Sequence, residues 1–138
     1  MPTLPWTVAG PAEAGSEALV MGSTLVLRSY ATVPSFLTAA MKLRKAVQRA
    51  PGAYGVSLIA QPILKTFWTL SAWSGQGALD AFVKSPEHAA VMRRFHERML
   101  DSDFRFWTLP VESLPEARNN APGLWAEARA RLATAEPP

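Results

Sequence analysis

The spacing of apolar and polar positions changes several times along the chain, and each change marks an element. In the stretch from Ala18 to Ser29, Leu25 and Leu27 alternate with Thr24, Val26 and Arg28, the pattern of a half-buried strand. Gly22-Ser23 interrupts that pattern, and an internal glycine signals a bulge or a close backbone approach. Val33-Pro34-Ser35 then opens a helix, where proline is tolerated because a first-turn N–H has no partner to lose. Phe36, Ala40, Leu43, Val47 and Ala50 make one apolar stripe, while Lys42, Lys45 and Arg49 fall away from it. Pro51-Gly52 closes the helix, with glycine free to take the left-handed conformation.

Residues 53–63 return to alternation, Val56, Leu58 and Ala60 against Ser57, Ile59 and Gln61. Leu64-Lys65 is a very short connection into Thr66–Trp73, so these two strands are expected to form an antiparallel hairpin. Phe67, Thr69, Ser71 and Trp73 face one way and Trp68, Leu70 and Ala72 the other, which predicts a central strand covered on both sides. A turn at Ser74–Gly77 and a short helical segment, Ala78–Val83, follow. Ser85-Pro86-Glu87 matches an N-cap, a proline at the first helical position and an acid in the first turn. The helix it opens carries His88, Val91, Met92, Phe95 and Met99 on one stripe. Asp101–Pro110 reads as a last strand, Phe104 and Phe106 opposite Arg105 and Trp107.

The order β-α-β-β-α-β predicts an α+β, ferredoxin-like fold: a four-stranded antiparallel sheet with both helices on one face. Residues 1–17, rich in Pro, Gly and Ala, are expected to be an extended leader over the surface, with Trp6 able to dock in a groove. Residues 18–110 form the domain, and 111–138 a Pro-rich tail with a helix near Leu124–Leu132 whose Leu124, Ala128 and Leu132 could cover a subunit edge. The sheet face away from the helices would then be apolar and open. A second copy is the expected cover, making a homodimer through that face.

Composition narrows the classes. The 138 residues suit one domain, and 49% hydrophobic against 18% charged residues excludes a disordered chain. No apolar run approaches the roughly 18 residues of a spanning helix, and the N-terminus lacks the pattern of a secretory signal, so no membrane association and a cytoplasmic location are expected. Cysteine is absent, which removes disulfides, thiolate metal sites and cysteine nucleophiles. No acid lies between Glu17 and Asp80, whereas Arg28, Lys42, Arg44, Lys45, Arg49 and Lys65 do. That basic stretch reads as a solvated face, since no nucleic-acid motif accompanies it, and no nucleic-acid partner is expected.

Candidate chemistry is sparse. Ser57 and Ser71 lack a histidine–acid set and a GxSxG elbow. Gly75-Gln76-Gly77 lacks the Lys and Ser/Thr of a P-loop, and neither His88 nor His96 sits in an HExxH spacing, so no metal site is expected. His96 falls on the flank of its helix stripe. Arg105 reaches either a ligand anion or a solvated sheet edge. His88 is either a core histidine or the polar group of a pocket; near a helix N-terminus its pKa tends to fall, and a neutral imidazole suits general-base work or ligation. Trp68, Trp73 and Trp107, with Phe67, Phe82 and Phe104, build a core or line a pocket for an aromatic molecule.

Trp73, the short turn, Ala78-Leu79, Phe82, Ser85 and the His88 helix resemble the antibiotic-biosynthesis-monooxygenase-like dimeric α/β-barrel superfamily, which includes haem-degrading monooxygenases. The resemblance spans roughly Ala18–Pro110 and is greatest to a poorly characterised bacterial branch. A fainter similarity to spheroidene monooxygenase covers Arg49–Gly55 and Phe67–Trp73. The resemblance implies oxidation of an aromatic or porphyrin-like molecule between sheet and helices, often without a separate metal or flavin. His88 would be its catalytic group, and Phe67, Trp73, Phe82, Met92 and Phe95 its substrate-binding wall. Where haem degraders carry a tryptophan and a proximal histidine, this chain has Phe82 and Met92, and their first-strand asparagine has no equivalent at Met21–Thr24. Haem remains possible with His88 as a shifted axial ligand; a non-catalytic binding or structural dimer of the same fold is the other alternative.

Overall fold

The computed structural model describes residues 3–115 and 119–133; the remaining positions of the leader and the tail lie outside the described residues. In chain order the elements are β1 (Thr3–Val8), β2 (Glu17–Leu27), α1 (Val33–Arg49), β3 (Ala53–Gln61), β4 (Thr66–Trp73), α2 (Gln76–Val83), α3 (Pro86–Phe95), β5 (Met99–Pro110) and α4 (Pro122–Ala133). Their strands form one antiparallel sheet in the order β1-β3-β4-β2-β5. The last four of these make the expected ferredoxin-like sheet. The sheet has five strands, one more than predicted, because β1 pairs along the outer edge of β3.

Local chemistry explains most boundaries. Gly52 takes a φ of 81° just past α1, the conformation that ends a helix without a Cβ penalty. Lys65 takes φ 54° in the tight link from β3 to β4. Ser85 caps α3, its hydroxyl accepting from the His88 N–H at 3.4 Å, with Pro86 at the first position. β4 lies in the middle of the sheet, and Phe67, Leu70, Ala72 and Trp73 are all buried on it.

The two sheet faces are covered differently. On one, α1 lies over β3 and α2 over β4, with Phe36 of α1 packed against Phe67 (ring centroids 4.7 Å) and edge-on to Phe95 of α3 (5.1 Å). On the other, α4 crosses β2 and β5, and Leu124, Trp125 and Ala128 join Trp6, Val20, Leu70 and Trp107 in one buried cluster. Two expectations are corrected here. The N-terminal stretch does not simply lie over the surface: β1 is a sheet strand, and Trp6 docks from it, fully buried. Pro5 is tolerated there because β1 is an edge strand. The second correction concerns the partner: the sheet face expected to be open for a second copy is covered in cis by α4.

Gly22 and Gly55 show why that cover fits. The β2 register runs through Gly22 without a bulge, and a Cβ there would meet the Trp107 ring at 3.2 Å. A Cβ on Gly55 would fall 2.2 Å from the Trp6 ring. Of the two readings of Gly22, close approach is the one observed, and the approaching group is an indole.

Candidate functional site

Between the sheet and α1–α3 lies a cavity of about 640 Å³, within the range of small-molecule sites. It exists because α1 and α2 lie over β3 and β4, which leaves the half of the face formed by β2 and β5 less covered. One wall is continuous in sequence. Trp73 ends β4, with its indole N–H donating to Ser71 Oγ at 2.9 Å. Phe82 of α2 lies against Trp73 at 5.3 Å between centroids, and the His88 ring stands edge-on to Phe82 at 5.5 Å. The Ser85 cap fixes the start of α3 and so sets where His88 enters this row.

Trp73, Phe82, His88, Met92 and Phe95 all line the cavity. Phe67 does not. It is fully buried at the end of the sheet, packed on Phe36 within a core cluster with Leu27 and Phe95, and its place in the wall is corrected to a core role. Met92 is 49% exposed and stands at the mouth. His96 is exposed and joins the rim. Arg105 points away from the cavity, on the α4 face beside Asp103 at 3.7 Å, so the sheet-edge reading of its guanidinium is the one observed.

Several lining groups lie outside the wall predicted from sequence. Met21, Ser23 and Leu25 of β2 and Thr69 of β4 form the floor, and the Ser23 and Thr69 hydroxyls hydrogen-bond one another across the strands. Phe104 and Phe106 of β5 flank it at the open side. Extending the β2 alternation back from Leu25 would have found Ser23 and Met21; nothing local says that these strands meet at one floor. Arg44 of α1 also lines the cavity, with Nη2 donating to Thr7 Oγ1 at 2.5 Å and to the Pro5 carbonyl at 3.4 Å. One cation of the basic stretch is thus spent on holding β1.

His88 lines the cavity and has a displaced titration. Burial opposes the imidazolium and lowers its pKa from 6.5, while the Val83 backbone works weakly the other way. Its Nδ1 is buried and makes no hydrogen bond of acceptable geometry. The site therefore presents a neutral imidazole, a hydroxyl pair and an otherwise largely apolar lining. Such a site suits an apolar molecule carrying one or two polar atoms.

No family profile matches the chain, and no curated protein matches it in sequence. Solved structures do match in shape. A protein from Lactobacillus acidophilus provisionally described as a monooxygenase superposes with a TM-score of 0.64 at 11% identity, over 84% of this chain and 53% of that one. SnoaB, a cofactor-independent oxygenase from Streptomyces nogalater, gives 0.57 at 12% identity over 72% and 98%. A dimeric ferredoxin-like protein of unknown function from Thermobifida fusca gives 0.59 at 15% over 72% and 97%. The fold is that of the antibiotic-biosynthesis-monooxygenase-like proteins. The chain spans about half the length of the Lactobacillus protein. Among the described residues no helix is long and apolar enough to cross a membrane.

Proposed function

We propose that this chain is a monooxygenase-like oxidoreductase that binds an apolar, aromatic or porphyrin-like small molecule in the cavity between the sheet and α1–α3. The observation that carries this reading is the cavity itself, with the row Trp73–Phe82–His88 along one wall and a buried His88 Nδ1 that makes no hydrogen bond of acceptable geometry. In this reading a neutral His88 accepts a hydrogen bond from a ring hydroxyl and takes its proton, and dioxygen is the oxidant. General-base assistance of this kind is worth about 10²–10⁴-fold in rate. Oxygen uptake with a panel of hydroxylated polycyclic quinols tests it: His88→Ala is expected to lower turnover by about that factor, and undiminished turnover in His88→Ala and Trp73→Ala would remove both residues from the site. Binding without turnover in the wild type favours the non-catalytic alternative.

Haem held by His88 is less well supported. A ligating histidine almost always donates its other ring N–H to a partner that orients it, and here the Val83 backbone acts on the ring only weakly, with no bond of acceptable geometry from Nδ1. Haemin titration decides the point, since axial ligation requires a Soret shift that His88→Ala abolishes.

The proposal retains a homodimer and moves it from the sheet face to the β5 edge. Leu100, Phe104 and Phe106 are exposed there beside the cavity mouth. An antiparallel pair of β5 strands centred on Phe104 sets Asp103 of each copy opposite Arg105 of the other, a self-complementary arrangement that a two-fold interface requires. Light scattering is expected to give a dimer mass for the wild type and a monomer for Phe104→Glu. A wild-type monomer at all concentrations removes the interface.

A further inference from the structure

We propose that the Ser23–Thr69 pair is a hydrogen-bond donor site for an acceptor oxygen, of the carbonyl type, on the molecule in the cavity. The proposal rests on the reading that the cavity holds an apolar ligand, and it adds the chemistry of that ligand's polar atom. Ser23 of β2 and Thr69 of β4 are direct cross-strand partners, and both line the floor. Each hydroxyl has one proton and two acceptor lone pairs. The bond between them uses one of the two protons. The other has no acceptor among the described residues, although Ser23 is only 1% exposed. Ser23 is buried and Thr69 half-buried, and a leftover donor at the floor of a largely apolar cavity gains from any group that accepts from it. The neighbouring apolar floor, Met21 and Leu25, offers nothing stronger than the weakly accepting Met21 thioether. Ser71 also lines the cavity; its oxygen accepts from the Trp73 indole and keeps its own proton. Ser71→Ala is therefore measured beside the pair, and a probe preference lost there instead of in the double variant overturns the assignment to Ser23–Thr69.

Proton counting gives the proposal a distinctive signature. Removing either hydroxyl still leaves one proton available, because the survivor no longer spends its own on its neighbour. Only the double variant Ser23→Ala/Thr69→Val loses the donor of the pair. Replacing both partners by apolar groups of similar shape is close to neutral for folding.

The test uses 1-tetralone and tetralin, two probes of nearly equal shape of which only the first carries a carbonyl, with binding measured by calorimetry. The ratio of their Kd values is expected to shift against tetralone by about 3- to 10-fold in the double variant and much less in either single variant. The infrared carbonyl stretch of bound tetralone should lie below its value in cyclohexane in the wild type and move towards that value in the double variant. A wild-type stretch already at the cyclohexane value, or a Kd ratio unchanged in the double variant, overturns the donor site while leaving the cavity reading standing. If neither probe binds the wild type, the cavity reading fails and this proposal fails with it.

Discussion

The two faces of this sheet are made by alternate residues of the same strands, yet one is packed and the other holds a cavity. On the α4 face both ends of the chain supply large side chains: Trp6 comes from β1, Trp125 from α4, and each meets a small group or a hydroxyl across the gap. Trp6 lies against Gly55, Trp107 against Gly22, and the Trp125 indole donates to Ser57 Oγ at 3.1 Å. On the α1–α3 face, β2 and β5 offer Met21, Ser23, Phe104 and Phe106 with less helix above them. The difference teaches that an indole set against glycine is how this chain closes a face, and that the same strands leave room where no such pair is provided. Sheet-to-sheet dimerisation is the use expected for the α4 face from sequence, and α4 takes that place.

If the contrast is real, truncation on the two faces should differ by several kcal/mol. Trp6→Ala removes a fully buried indole from a filled layer and is expected to cost about 3–5 kcal/mol. Met92→Ala, at the cavity mouth and 49% exposed, should stay within about 0.5 kcal/mol. Urea midpoints for the two variants measured together provide the check. Equal losses would mean that the α4 face is no better packed than the cavity face.

A smaller effect probes the glycine half of the same arrangement. Gly55→Val places side-chain atoms where the Trp6 ring lies, with the first only 2.2 Å from it. Overpacking of this kind costs about 1–3 kcal/mol. Its cost should shrink in a Trp6→Ala background, because the ring that clashes is gone. A double-mutant cycle reads that coupling directly, and additive losses would show that the glycine is not there for the indole.

How much of this was legible depended on how local the signal was. The Ser85 cap, the left-handed Gly52 and the two-faced pattern of Thr66–Trp73 are properties of short stretches, and each appears as read. The Trp73–Phe82–His88 wall was legible for the same reason, being nearly continuous in sequence. β1 was not, because Pro5 and the flanking glycine and proline residues argue against a strand unless that strand lies at an edge. The stripe Leu124, Ala128, Leu132 showed that α4 buries a face but not which surface it meets. Phe67 illustrates the converse limit. Alternation put it on the same sheet face as Trp73, and it is, but position along the strand, set by where Phe36 descends, decides between core and cavity. The floor was the least visible part, since Ser23 and Thr69 meet only through strand pairing.

The smallest expected effect separates the faces by pH. Both histidines of the chain are on or beside the cavity, and the pKa of His88 is displaced below 6.5, burial being the larger cause. In the unfolded chain the ring returns to its ordinary value, so between the two values the unfolded state binds more protons. Stability therefore rises with pH across that window. Read downwards, it begins to fall as pH drops through about 6.5 and levels off below the folded value, where both states carry the proton. His88→Gln should abolish that part of the slope between pH 5 and pH 7 in urea midpoints, while His96→Gln, at an exposed position, should leave it intact. A slope that survives in His88→Gln would mean that the imidazole is not held neutral by its place beside Phe82. The proton-accepting role proposed for it would then lose its physical basis.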